Sequence, residues 1–129
     1  MGGVGSFSMK KVIKGSALFA GEAAGLQDFF WGFGTRIATT SGYLAAQSII
    51  NNLDYEEVID THFRSRLKAG VVNRYLFENI LSKNDYSFFI NFDKFQKKLH
   101  SLYNYNLVQR LLYPIAFSKL LTKYPQLKM

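Results

Sequence analysis

The 129-residue chain contains no cysteine, so it can form no disulfide, no thiolate metal site, no redox dithiol and no cysteine nucleophile. That absence suits a reducing compartment, and the expected location is cytoplasmic, with membrane association and a peripheral membrane contact as a further option. No apolar run approaches the roughly 20 residues that a membrane-spanning helix requires. Lys10, Lys11 and Lys14 precede a short apolar run, but Glu22 interrupts it too early for a secretory signal. Acidic residues are scarce, 9 against 16 Lys and Arg, which gives a formal charge of +7. The basic residues nevertheless come singly or in pairs such as Lys97-Lys98. Without the dense runs of a nucleic-acid arm, no nucleic-acid partner is expected. The charge is still compatible with an anionic membrane face or a phosphorylated substrate. Internal repeats, low-complexity tracts and metal-ligand spacings are missing too.

Apolar residues make up 48% of the chain and aromatics 16%, enough to bury one compact core. The opening residues fit the myristoylation pattern, Met1-Gly2 followed by Ser6. Residues 2–8 are glycine-rich, yet they lack the third glycine of a dinucleotide fingerprint and its flanking strand and helix. They read as an irregular strand, and 9–13 is a second short strand candidate. A turn-rich connection over 10–15 then leads into the apolar run 17–20.

That run opens the stretch around which the chain is organised, residues 17–46, ALFAGEAAGLQDFFWGFGTRIATTSGYLAA. A short buried strand ending in Gly21-Glu22 has the character of an inner strand of a parallel sheet. Glycines 25, 32 and 34 punctuate the loop that follows, and a helical pattern rises from Gly34. Strand, glycine loop and helix start together point backbone N–H groups at an anionic or polarisable ligand. Apolar and small residues at 37, 41, 44, 45, 48 and 49 share one face of that helix.

The same residues carry a family resemblance. Gly21-Glu22-Ala23-Ala24-Gly25, then Asp28, then Gly32-x-Gly34, then Ser41-Gly42-x-Leu44-Ala45-Ala46 resembles the last flavin-contacting segment of FAD-dependent oxidoreductases related to geranylgeranyl reductases. The spacing matches without a gap over residues 21–46. Glu22 stands where most members have Asp, keeping the acceptor but reaching one methylene further, and Phe29 stands where many have Pro, which leaves the loop less rigid. The variant with G-E-A-A-G, Q-D and W-G-F-G is similar to an uncharacterised branch of that family.

The resemblance implies FAD as cofactor. Gly21 would be among the cofactor-binding positions, and Glu22 would hold the ribityl chain. Asp28 would order the loop or bond the ring, and Gln27 with the amides of Gly32, Phe33, Gly34 and Thr35 would face the isoalloxazine. It also implies hydride transfer to or from an apolar, isoprenoid or lipid substrate. An inner strand needs neighbours on both edges, so the expectation is a C-terminal portion whose ADP-binding half lies in another segment or chain. The expected fold is an α+β fragment, mostly α. Residual strands of a dinucleotide-binding sheet lead to a flavin-facing helix within residues 1–52, and a helical substrate-side region fills 53–129.

That second region divides at its caps. Asn51-Asn52 ends the first helix, and Asp54 with Glu57 three residues on opens a second. It is expected to run to about Leu81, weakest at Gly70, with His62, Arg64, Arg66 and Lys68 on its outer face. Aromatics crowd 85–95, read as core or the wall of an apolar channel, and Asp93 is placed to cap a helix through about Tyr103. Asn104 and Asn106 precede a last helix that Pro114 should kink and Pro125 should end. Rich in Leu and Ile and flanked by Lys119 and Lys123, this helix either closes the core or lies on a membrane surface. Neither His62 nor His100 has an acid or nucleophile partner in the sequence that would suit catalysis. The alternative to the flavoprotein reading is a non-catalytic basic helical module that binds a membrane surface or a protein partner.

Overall fold

A computed structural model describes residues 12–30, 34–81 and 102–127 of the chain. The expectations placed on residues 2–8, on the aromatic run 85–95 and on the Asp93 cap lie outside the described residues. Within them the protein is an α+β structure that is mostly helical, as expected. A small hairpin, β1 (Ile13–Lys14) and β2 (Ala17–Leu18), leads to a 3-10 turn at Gly21–Ala24. Three long helices follow: α1 (Thr35–Asn51), α2 (Tyr55–Leu76), extended by a π-helical turn Phe77–Leu81, and α3 (Leu107–Lys123), closed by a 3-10 turn at Pro125–Leu127.

The strand differs from its expected form. β1 and β2 pair antiparallel, Ile13 with Leu18 and Lys14 with Ala17, and Ala17 is exposed. The physical reason lies in the two residues between them: Gly15, at φ +62°, and Ser16 make a two-residue hairpin loop that folds the chain back on itself. The Phe19 N–H then donates to the Val12 carbonyl at 2.8 Å, one step beyond the paired residues.

Helix boundaries follow local chemistry. Asn52 adopts the left-handed conformation, φ 50°, and its N–H closes α1 on the Ser48 carbonyl. The Asp54 carboxylate accepts from the N–H groups of Glu56 and Glu57, which satisfies orphan donors at the head of α2. Asn106 and Gln109 form a reciprocal capping box at the head of α3. Pro114 lies inside α3, which runs on through it to Lys123.

Helix α2 is the axis of the core. Tyr55, Ile59, Phe63 and Leu67 form a buried stripe at helical spacing, and from Ala69 to Asn73 five consecutive residues are buried. A helix buried on every side must be wrapped. Ala24, Leu26 and Phe29 cover it from the N-terminal loop, and Leu120 and Leu127 from the C-terminal segment. The core thus draws on residues from both the 1–52 and 53–129 regions.

Gly70 is therefore no weak point. A Cβ there would stand 2.7 Å from the Asp28 Oδ1, so glycine is what lets the aspartate loop reach the helix. Another correction concerns Ile49, expected on the packed face of α1 but 71% exposed together with its neighbour Ile50. At the far end of α2, the Glu78 carboxylate joins the tail of α2 to the tail of α3. Its Oε1 pairs with the Arg74 Nε at 2.6 Å and accepts from the Tyr124 hydroxyl at 2.7 Å, while Oε2 pairs with the Lys123 Nζ at 2.7 Å. Burial alone would push this carboxyl up, but hydrogen bonds from Lys123, Tyr124 and Arg74 outweigh it and hold it below its ordinary value.

Two stability measurements test this packing. Gly70→Ala should cost about 1–3 kcal/mol in urea unfolding through overpacking. Gly42→Ala, on the exposed side of α1 with nothing within 4 Å of the new Cβ, should instead stabilise by about 0.5–1 kcal/mol. The second measurement concerns acid. Because the folded-state pKa of Glu78 is depressed, its contribution is present above the unfolded value of 4.5 and lost as pH falls through the folded value. Glu78→Gln should lower stability by about 1–3 kcal/mol at neutral pH and flatten the acid limb of the stability profile. An unchanged acid limb would contradict the assignment.

Candidate functional site

The glycine turn is fastened to α1 by one hydrogen bond. The Gly21 N–H donates to the Ser41 Oγ at 2.8 Å, and that hydroxyl lies within reach of the Ile37 and Ala38 carbonyls at 2.8 and 3.1 Å. Gly21 has φ +57°, and a Cβ on it would come within 2.9 Å of the Ala38 Cβ. Two ends of the sequence motif, Gly21 and Ser41, thus meet in the fold. Gly25, at φ 71°, closes the turn by donating to the Glu22 carbonyl. Tyr55 secures the same junction from α2, its hydroxyl 2.8 Å from the Phe19 carbonyl and 3.3 Å from that of Ser41.

The predicted site residues fall into two groups. Gly21 and Glu22 lie against the first turns of α1, with Gly34 and Thr35 at that helix's start. Glu22 is exposed, with no ion pair among the described residues. Gly34 precedes a helix start that no side chain caps, and nothing lies within 4 Å of where its Cβ would be. Asp28 instead lies against α2 at Gly70. The Gln27 Oε1 is buried without a hydrogen-bond partner among the described residues. The buried Asp28 accepts from the Tyr103 hydroxyl at 2.8 Å and from the Phe30 N–H at 3.4 Å, so it acts as the residue that orders its loop. Gly32 and Phe33 lie outside the described residues.

Asp28 also forms part of an open cleft of about 730 Å³. Arg36 and Thr40 line it from α1, His62 and Arg66 from α2, and Tyr103 from the segment before α3. The Arg66 guanidinium stands over the Tyr103 ring, 5.7 Å from its centroid. Neither Arg36 nor Arg66 is in an ion pair among the described residues, so the cleft offers cationic walls around one committed carboxylate. Burial first, and then the charge and hydrogen bond of Asp28, push the Tyr103 hydroxyl far above its ordinary value. It stays a donor throughout the working pH range.

Sequence reading did not foresee Tyr103 or Tyr55 as partners of this region. Their bonds close over 75 and 36 residues, and no local pattern encodes such a meeting. Among the described residues no group of three or more His, Asp or Glu is arranged to hold a metal ion. No family model, curated protein or solved structure matches the chain.

The Tyr103 bond has an alkaline signature. With its folded-state pKa raised, its contribution is complete below the unfolded value of 10.0 and is lost as pH rises above that. Tyr103→Phe should cost about 1–3 kcal/mol near neutrality by stripping a donor from a buried carboxylate, and should soften the alkaline fall in stability. A double-mutant cycle with Asp28→Asn should return a coupling of about 0.5–3 kcal/mol. Additive effects would dissolve the pair.

Proposed function

We propose that these residues are the C-terminal, flavin-contacting portion of an FAD-dependent oxidoreductase related to the geranylgeranyl reductases, acting on an apolar, isoprenoid or lipid substrate. The observation that carries the reading is the bond from the Gly21 N–H to the Ser41 Oγ. It holds the glycine turn on α1 while Glu22 stays exposed. An exposed carboxylate with no ion pair among the described residues, beside a helix start that no side chain caps, fits a ligand that carries hydroxyls and gathers negative charge.

FAD, when bound, supplies the hydride chemistry. The chain's own residues bind and orient. Glu22 would accept from a ribityl hydroxyl, and the start of α1 at Gly34 and Thr35 would favour the electron-rich edge of the ring through the helix dipole. Asp28, tied to Tyr103 and packed on Gly70, keeps the intervening loop in register. The ADP-binding half belongs, on this proposal, to another segment or a separate chain.

Flavin fluorescence tests it directly. The chain should purify colourless, since the ADP-binding half supplies most of the cofactor's affinity. Titrated into riboflavin it should still give a weak saturable quench, and Glu22→Ala should weaken that quench about tenfold through loss of one charged hydrogen bond. Circular dichroism should show Glu22→Ala folded like the parent. No saturable quench, or one indifferent to Glu22→Ala, would overturn the proposal.

A further inference from the structure

Helix α3 presents two opposite faces. Gln109, Ala116 and Leu120 are buried against α2 and the rest of the core. On the other side Leu107 is 72% exposed, Val108 62%, Leu111 70% and Ile115 52%. Leu107, Leu111 and Ile115 recur every fourth residue with Val108 beside them, so at 3.6 residues per turn they form one continuous apolar stripe. Single exposed leucines are ordinary, but four large aliphatic side chains along one stripe of one helix are not.

The residues that border the stripe say what covers it. On the helical wheel Arg110 falls along one edge and Lys119 along the other, and both are exposed. Pro114, Ser118 and Thr122, also exposed, complete the outer face. Helix α3 contains no Asp or Glu, and the whole chain carries +7. A second copy docking here would bring cationic borders and like net charges together. An aliphatic strip flanked on both sides by long cationic side chains is instead the pattern of a helix lying in the plane of an anionic lipid surface, its stripe at the acyl boundary and its cations at the headgroups. No described helix is long and apolar enough to cross a membrane, so the contact is peripheral.

We infer that the outer face of α3 docks the protein onto anionic lipid bilayers, with Leu107, Val108, Leu111 and Ile115 entering the interface and Arg110 and Lys119 pairing with lipid phosphates. The inference rests on the α3 surface alone and stands apart from the flavin reading.

Co-sedimentation of the full chain with vesicles tests it. The protein should pellet with phosphatidylcholine vesicles containing phosphatidylglycerol, pellet poorly with phosphatidylcholine alone, and be released as salt rises. Arg110→Gln with Lys119→Gln should weaken binding to the anionic vesicles about 30-fold, near fivefold per cation. Leu111→Ser with Ile115→Ser should weaken it at least about tenfold. Because all four side chains are exposed, circular dichroism and the unfolding midpoint should hardly change. Ile49→Ser with Ile50→Ser, which removes exposed apolar surface from α1, should leave binding intact and so separates this face from general stickiness. Binding that ignores the α3 substitutions, or no binding to anionic vesicles, overturns the inference. So does an apolar stripe that proves to be consumed in a dimer, read as a shift to monomer in the Leu111→Ser, Ile115→Ser variant without any vesicle binding by the parent.

Discussion

The close approach of Asp28 to Gly70 governs the architecture. A carboxylate can sit this close to a helix backbone only where the helix lacks a Cβ, and Gly70 supplies the gap in the middle of the most buried stretch of α2. Through it the N-terminal loop lies low enough for Leu26 and Phe29 to reach the core, and the carboxylate meets the Tyr103 hydroxyl arriving from the far side. One missing methyl group lets three distant parts of the chain share a point. Around that point the packing turns aromatic. Phe29 meets Tyr124 edge to face at 5.5 Å, with the Arg74 guanidinium over both rings, which carries the contact on to the Glu78 clamp.

Local chemistry was readable and distant chemistry was not. Asn52, Asp54, Asn106 and Pro125 mark helix ends in the sequence and in the fold, because a cap satisfies donors and acceptors within a turn of itself. The hairpin departs from the expected inner strand although Gly15-Ser16 is a two-residue turn signal, because the apolar run after it has the pattern of a longer buried strand. Gly70 was read by its intrinsic cost in a helix, which is the wrong scale when tertiary contact decides. Of the candidate site, Gly21 and its turn were legible because glycines at positive φ announce themselves. The tie to Ser41 was implicit only in the spacing of the motif, and the commitments of Asp28 to Tyr103 and of Tyr55 to the Phe19 carbonyl depend on long loops closing.

Charge and apolar surface are distributed unevenly over the molecule. Four of the acids are committed within the fold: Asp28 orders a loop, Asp54 caps α2, Asp60 pairs with Arg64, and Glu78 clamps two helix tails, while Glu22, Glu56 and Glu57 are exposed. Among the described residues, cations outside any ion pair include Arg36 and Arg66 at the cleft and Arg110 and Lys119 on α3. With 9 acids against 16 Lys and Arg, the chain carries net positive charge without any basic run, so composition rather than motif points to anionic partners.

The capping box of α3 has a consequence for how this helix is held. Gln109 returns its side-chain oxygen to the Asn106 N–H at 3.0 Å, while its amide nitrogen reaches the Asn73 side chain at 3.0 Å and the Leu102 carbonyl at 2.6 Å. One side chain therefore both starts the helix and anchors it to α2. Fraying the first turn and undocking the helix become the same event, so α3 stays or leaves as a whole. Any surface it carries is displayed by an element that is either fully seated or not formed at all.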